Sequence, residues 1–311
     1  MTSNHRPTTT DTRTTDTQTT STQMMDRHIL SNGTVSATIK SDGAELCSLS
    51  DAAGEEMLWQ AGPVWPRHAP VLFPIVGRLK DDRLLHQGRS YHLPQHGFAR
   101  DRRFAWLNRG ATACRLVLHE DAGTRAAYPF AFRLEVAFSL DDDALETTFT
   151  VANPGREVLP ASLGAHPAFV WPLVEGLDKD AHVLEFAEPE TAPVRRLDGG
   201  LLKSEPEPTP IIGQDLALDP ALFAADAVIL PKPASRSVRY TAPGAPAIEV
   251  AWEGFEQLGI WSRDGADFLC IEPWHGTASP IDFDGEFRDK PGLMLIPPGE
   301  RRALSMRIRL C

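Results

Sequence analysis

The chain has 311 residues, 42% hydrophobic and 23% charged, a balance that excludes a disordered or fibrous protein and leaves room for a large buried core. Its formal net charge of −11 argues against nucleic acid or an anionic membrane as the partner, because those surfaces select clustered lysine and arginine. No apolar run is long enough to cross a bilayer, and the scattered Cys47, Cys114, Cys270 and Cys311 read as reduced thiols rather than a disulfide framework.

In chain order, residues 1–25 come first, rich in threonine and nearly devoid of core-forming side chains. They are expected to form a disordered tail, and they lack the apolar stretch of a secretory signal. A cytoplasmic protein with one domain over 26–311 is the resulting expectation. From Arg27 onward apolar and polar residues alternate, the period of half-buried strands, over 28–30, 34–40, 44–49, 114–119, 132–140, 144–151, 237–240, 248–252 and 302–310. Turn signals separate the runs at Asp42-Gly43, Asn153-Pro154-Gly155, Asp198-Gly199-Gly200, Pro243-Gly244 and Pro297-Pro298-Gly299. The best helical segment is short, Pro220 to Asp226 with Asp219 as N-cap. Many strands without a strand–helix–strand rhythm predict an all-β protein, a sandwich of large antiparallel sheets.

Three residues stand out where strand-like runs break at Gly or Pro: His96 in Gln-His-Gly-Phe-Ala-Arg, His166 in Leu-Gly-Ala-His-Pro-Ala-Phe, and Glu272 in Cys-Ile-Glu-Pro-Trp-His-Gly. Such breaks are where a rigid scaffold presents chemical groups to a cleft. Imidazole and carboxylate together can take a proton from one oxygen and deliver one to another near neutral pH. The competing roles are structural: a core histidine satisfied by a carbonyl, a loop cap, or a carboxylate paired with an arginine. An extended 162–166 would put Ser162, Gly164 and His166 on one face, with small side chains leaving room over the sheet. Glu272 follows the strongly apolar Phe268-Leu-Cys-Ile, where an unpaired carboxylate would be costly without a purpose. Trp274, Trp171 and Phe98 are aromatic candidates for stacking on a ligand, against the commoner role of core residues. His68 and His275 receive no role.

The ordered set His68-Ala-Pro-Val-Leu-Phe-Pro-Ile-Val-Gly-Arg-Leu-Lys80, Gln95 to Arg100, Gly164-Ala-His-Pro-Ala-Phe169 and Cys270 to Gly276 resembles the aldose 1-epimerase (galactose mutarotase) superfamily, most of all its LacX-like branch. The resemblance implies a galactose mutarotase-like β-supersandwich, a small-molecule sugar substrate, and neither metal nor organic cofactor. It implies Glu272 as general base, His166 as general acid, His96 as a second substrate-positioning histidine, Arg78 as the sugar-binding arginine and Asp226 as a ligand to sugar hydroxyls. Trp274 joins them as a substrate-binding candidate. Three other readings stay open. Two histidines and a carboxylate could hold a metal. The pocket could bind sugar without turnover. The sugar could be phosphorylated, with Arg67, Arg78, Lys80, Arg100 and Arg102 as candidate phosphate ligands.

Overall fold

Alternating burial along the strands builds two large antiparallel sheets that share one core, with smaller sheets of two or three strands around them. The computed structural model describes Met1 and residues 27–311; apart from Met1, the expectation for residues 1–25 lies outside the described residues. The larger sheet has nine strands in the order Asp215–Ala217, Val183–Phe186, Ser237–Thr241, Ile248–Glu253, Arg301–Leu310, Ala144–Ala152, Arg133–Asp141, Ala113–His119 and Ala105–Arg109. Registers align Leu116 with Val136, Val136 with Phe149 and Phe149 with Leu304, so one row of buried apolar side chains crosses four strands. Each such side chain contributes roughly 1.5–3 kcal/mol through its burial.

The second sheet runs Val228–Leu230, Gln257–Trp261, Phe268–His275, Leu163–Ala165, Val71–Leu72, with Ala168–Val170 also paired to Phe268–His275. Phe268–His275 is buried on both faces except at its last residue. Leu269 and Ile271 join the main core with Leu163, Ala165, Leu258 and Ile260. Phe268, Cys270, Glu272 and Trp274 therefore face the other way, as period two requires. That outer face is covered by a hairpin of Leu197–Asp198 and Leu201–Leu202, turned through Gly199 and Gly200, and by the loop bearing Trp59 and Trp65.

Every strand expected from alternation is present, with ends displaced by one or two residues. The segment at Pro220 is a single 3₁₀ turn, Pro220–Phe223, although Asp219 caps it by accepting the Ala221 N–H at 2.8 Å. An α-helix forms instead at Ala122–Ala127, held by a capping box between Asp121 and Thr124. Its alanines and glycine carry no apolar period, so the cap is its one sequence signal. All four cysteines are free, and among the described residues no helix is long and apolar enough to cross a membrane.

Candidate active site

The strand register brings His166 and Glu272 together. Leu163–Ala165 pairs with Phe268–His275 through Gly164 and Trp274, and Ala168–Val170 resumes the same register with Ala168 opposite Cys270. Position 166 thus lies across from position 272, on the outer face. The ladder breaks there at Pro167, and the side chains meet: His166 Nε2 lies 3.3 Å from Glu272 Oε2. Both are buried, at the wall of a cavity of about 290 Å³.

His96 enters from a loop. Its backbone has φ of 64°, a left-handed conformation unusual for a residue with a Cβ, and the following Gly97 packs so tightly on the Phe73 carbonyl that a Cβ there would lie 2.3 Å from the oxygen. Gly77 holds His96 twice: the His96 N–H donates to the Gly77 carbonyl at 2.7 Å, and the Gly77 N–H donates to His96 Nδ1 at 3.1 Å. Because Nδ1 accepts a hydrogen bond, the proton of the neutral ring sits on Nε2, which is left as a donor. The His96 and His166 rings stand edge to face at 5.8 Å.

Aromatic groups fix the rest. Trp65 stacks on His166 at 5.1 Å and Trp261 meets it edge-on at 5.7 Å. Trp274 lies over its cross-strand neighbours Gly164 and Gly259, where a Cβ would approach the indole to 2.8 and 2.4 Å, and its Nε1–H donates to Glu272 Oε2 at 3.2 Å. Two glycines thus make room for the ring that steadies the carboxylate. Gly259→Ala should displace the indole, change tryptophan fluorescence and cost about 1–3 kcal/mol in denaturant unfolding, the usual cost of overpacking. Unchanged fluorescence and stability would show that the indole bed is not rigid.

Burial governs the charges. Removal from water pushes Glu272 well above the ordinary carboxylate range, with the Trp274 N–H opposing and the Asp226 carboxylate adding to the rise. Burial, assisted by the Arg100 cation, pulls His166 down to about 3, and burial with His166 and Arg100 nearby pulls His96 well below 6.5. Burial thus opposes the charged forms of both Glu272 and His166. The stability consequence has a definite sign. A folded-state value above the unfolded 4.5 means that stability present at lower pH drains away as pH rises from there through the folded value of Glu272. Glu272→Gln removes that drain. It should melt a few degrees above the parent at pH 8, the scale on which about 1 kcal/mol moves a chain of this size, with the gap closing towards pH 4.5. For the two histidines the sign reverses: stability is lost as pH falls from 6.5, for His166 down through about 3. Melting curves of parent and Glu272→Gln across pH check both limbs; a gap that does not vary with pH would contradict the buried neutral carboxyl.

Of the residues singled out in the sequence, Glu272, His166, His96, Trp274 and Asp226 all line this one cavity. Asp226 is exposed, with a left-handed backbone at φ of 67°, and its Oδ1 accepts the Ala227 N–H at 2.7 Å. Arg78 is apart from the cavity wall. Its Nε and Nη2 both donate to the carboxylate of Asp82, each at 2.7 Å, which turns the guanidinium outward beside Gly77. Arg100, named in the sequence only as a phosphate candidate, is in the wall instead. Its Nη2 donates to the Gln95 carbonyl at 2.7 Å, its Nε is buried without a hydrogen-bond partner, and burial next to Arg67 lowers it to about 10. Trp65, Trp261 and Arg263 also line the cavity without having been anticipated; the flanking prolines of Trp65 were the available signal. His68 lies beside the buried Glu45, at 3.8 Å, and His275 approaches the Gly254 carbonyl at 3.3 Å, so neither belongs to the wall.

The chain is similar to known proteins over nearly its whole described length. The family model for aldose 1-epimerase matches residues 26–294. Over 282 residues it is 32% identical to the chromosomal protein LacX of Lactococcus lactis subsp. lactis, a match covering 86% of this chain and 94% of that protein. A galactose mutarotase related enzyme from Lactobacillus acidophilus superposes with a TM-score of 0.85 at 33% identity, covering 92% of this chain and 97% of that one. A galactose mutarotase-like protein from Lactobacillus casei superposes with a TM-score of 0.86 at 28% identity, covering 92% and 100%. The two-sheet sandwich is the fold of these proteins.

Proposed function

Because the chain belongs to the aldose 1-epimerase family, we propose that it interconverts the α and β anomers of an aldose by acid–base opening and reclosure of the sugar ring. The observation that carries this reading is the 3.3 Å contact between His166 and Glu272 at the wall of an open cavity. A proton passing from Glu272 to His166 would leave a carboxylate base and an imidazolium acid without changing the net charge of a buried site. The carboxylate then takes the proton of the anomeric hydroxyl while His166 gives one to the ring oxygen, so the ring C–O bond breaks and a free aldehyde forms. Rotation about C1–C2 presents the other face, and the same transfers run backwards on closure. His96 Nε2–H and the free donors of Arg100 would hold ring and hydroxyl oxygens as charge develops, and Trp274 steadies the base. No step needs a metal or an organic cofactor.

One observation favours a second reading, a sugar carrying a phosphate. Arg100 and Arg263 both line the cavity, and a dianion binds best where two cations converge. The net charge of −11 weighs on the other side. Anomer exchange followed by polarimetry or NMR over free and 6-phosphorylated hexoses and pentoses tests both. Free aldoses should be turned over; a 6-phosphate preferred by orders of magnitude in kcat/KM would establish the second reading, and no acceleration with any sugar, despite binding, would leave a sugar-binding protein.

A further inference from the structure

We propose that His166, Cys270 and Glu272 form a binding site for a zinc-class divalent cation, and that filling it silences the sugar site. Each residue offers one ligand atom, an imidazole nitrogen, a thiol sulfur and a carboxylate oxygen, and the three atoms lie within 4.8 Å of one another. The arrangement follows from the register. Cys270 and Glu272 alternate onto the same face of one strand, and His166 stands across from Glu272 with Cys270 as its diagonal neighbour. Sulfur, nitrogen and oxygen donors suit zinc, at bond lengths of roughly 2.0–2.3 Å that a small inward movement of the three side chains would reach. The thiol disfavours magnesium and calcium, which take oxygen ligands. A fourth position would open onto the cavity that His166 and Glu272 line, where a water could complete a tetrahedron.

Two features make the cluster more than a by-product of the sugar chemistry. Cys270 is fully buried beside Phe268, Ala168 and Ala266, and no step of the proton transfer uses it. A divalent ion would also be balanced by one thiolate and one carboxylate, so the filled site carries no uncompensated charge. The ion would occupy His166 Nε2 and Glu272 Oε2, the atoms that handle the substrate's protons. Silencing therefore rests on the acid–base reading above, whereas binding does not.

The test uses the full chain stripped with a chelator and titrated with zinc, then with cobalt(II) as a coloured substitute. One ion should bind per chain, and the cobalt form should show sulfur-to-metal charge-transfer absorption in the near ultraviolet. Cys270→Ala, with Cys270→Ser as the variant of matched volume, should lose that absorption and bind zinc at least ~10-fold more weakly. Zinc should slow anomer exchange by the parent, a chelator should restore it, and the Cys270 variants should resist. Equal zinc affinity in parent and variants, or a cobalt form without the thiolate absorption, overturns the site. A loaded protein that turns over at the unloaded rate overturns the silencing. The absorption readout needs no turnover, so failure of the metal site and failure of the sugar reading are distinguishable.

Discussion

Glu272→Gln and His166→Asn should each lower kcat for anomer exchange by about 10²–10⁴-fold, the contribution of a positioned general acid or base, with a much smaller change in sugar affinity. The two side chains touch at 3.3 Å, so they act as a unit. The double variant should accordingly be far less damaged than the product of the two single losses. The pH profile should follow the pair rather than either residue. With His166 held down near 3, kcat/KM should show no break at the ordinary histidine value of 6.5. Each single variant should lose one limb of the profile. Near-full activity in Glu272→Gln, on a substrate the parent handles well, would remove Glu272 from the role of base.

Replacing Arg100 should hurt more than replacing Arg78. The resemblance of the motifs assigned the sugar-binding guanidinium to Arg78, but that side chain is exposed and gives two donors to Asp82. Arg100 is in the cavity wall, with a buried Nε that makes no hydrogen bond and lies 3.8 Å from Asp101, a carboxylate that Arg67 holds more closely at 2.9 Å. Hydrogen bonds from a charged donor are worth about 1.5–3 kcal/mol each, so Arg100→Met should lower kcat/KM by about 10- to 100-fold. The stem of methionine preserves the packing, which separates the lost donors from a lost contact. Arg78→Met breaks only an exposed ion pair and should stay within a few-fold of the parent. Kinetics of the two variants on one sugar decide it: the opposite order would mean that Arg78 leaves Asp82 and swings over the substrate on binding.

The amino-acid sequence by itself determined the strands, because burial of one face per strand writes a period of two, and it singled out three residues that line one cavity, because each stands where such a run stops at Gly or Pro. Family membership was also legible there, in four motifs spaced in the right order. The sequence did not contain the pairing. That His166 lies across from Glu272 depends on the register between two strands about a hundred residues apart, and register is set by the packing of both faces of the sheet. The same limit explains the arginines. Arg78 and Arg100 sit in equally distinctive motifs, and only the folded chain shows that Asp82, four residues on, captures the first while the second is turned into the cavity. Cys270 reads in the sequence as one of four scattered reduced thiols; its closeness to His166 and Glu272 is a product of the tertiary structure. Trp65 escaped notice for the same reason, since a loop residue declares what it covers only once the sheet beneath it exists.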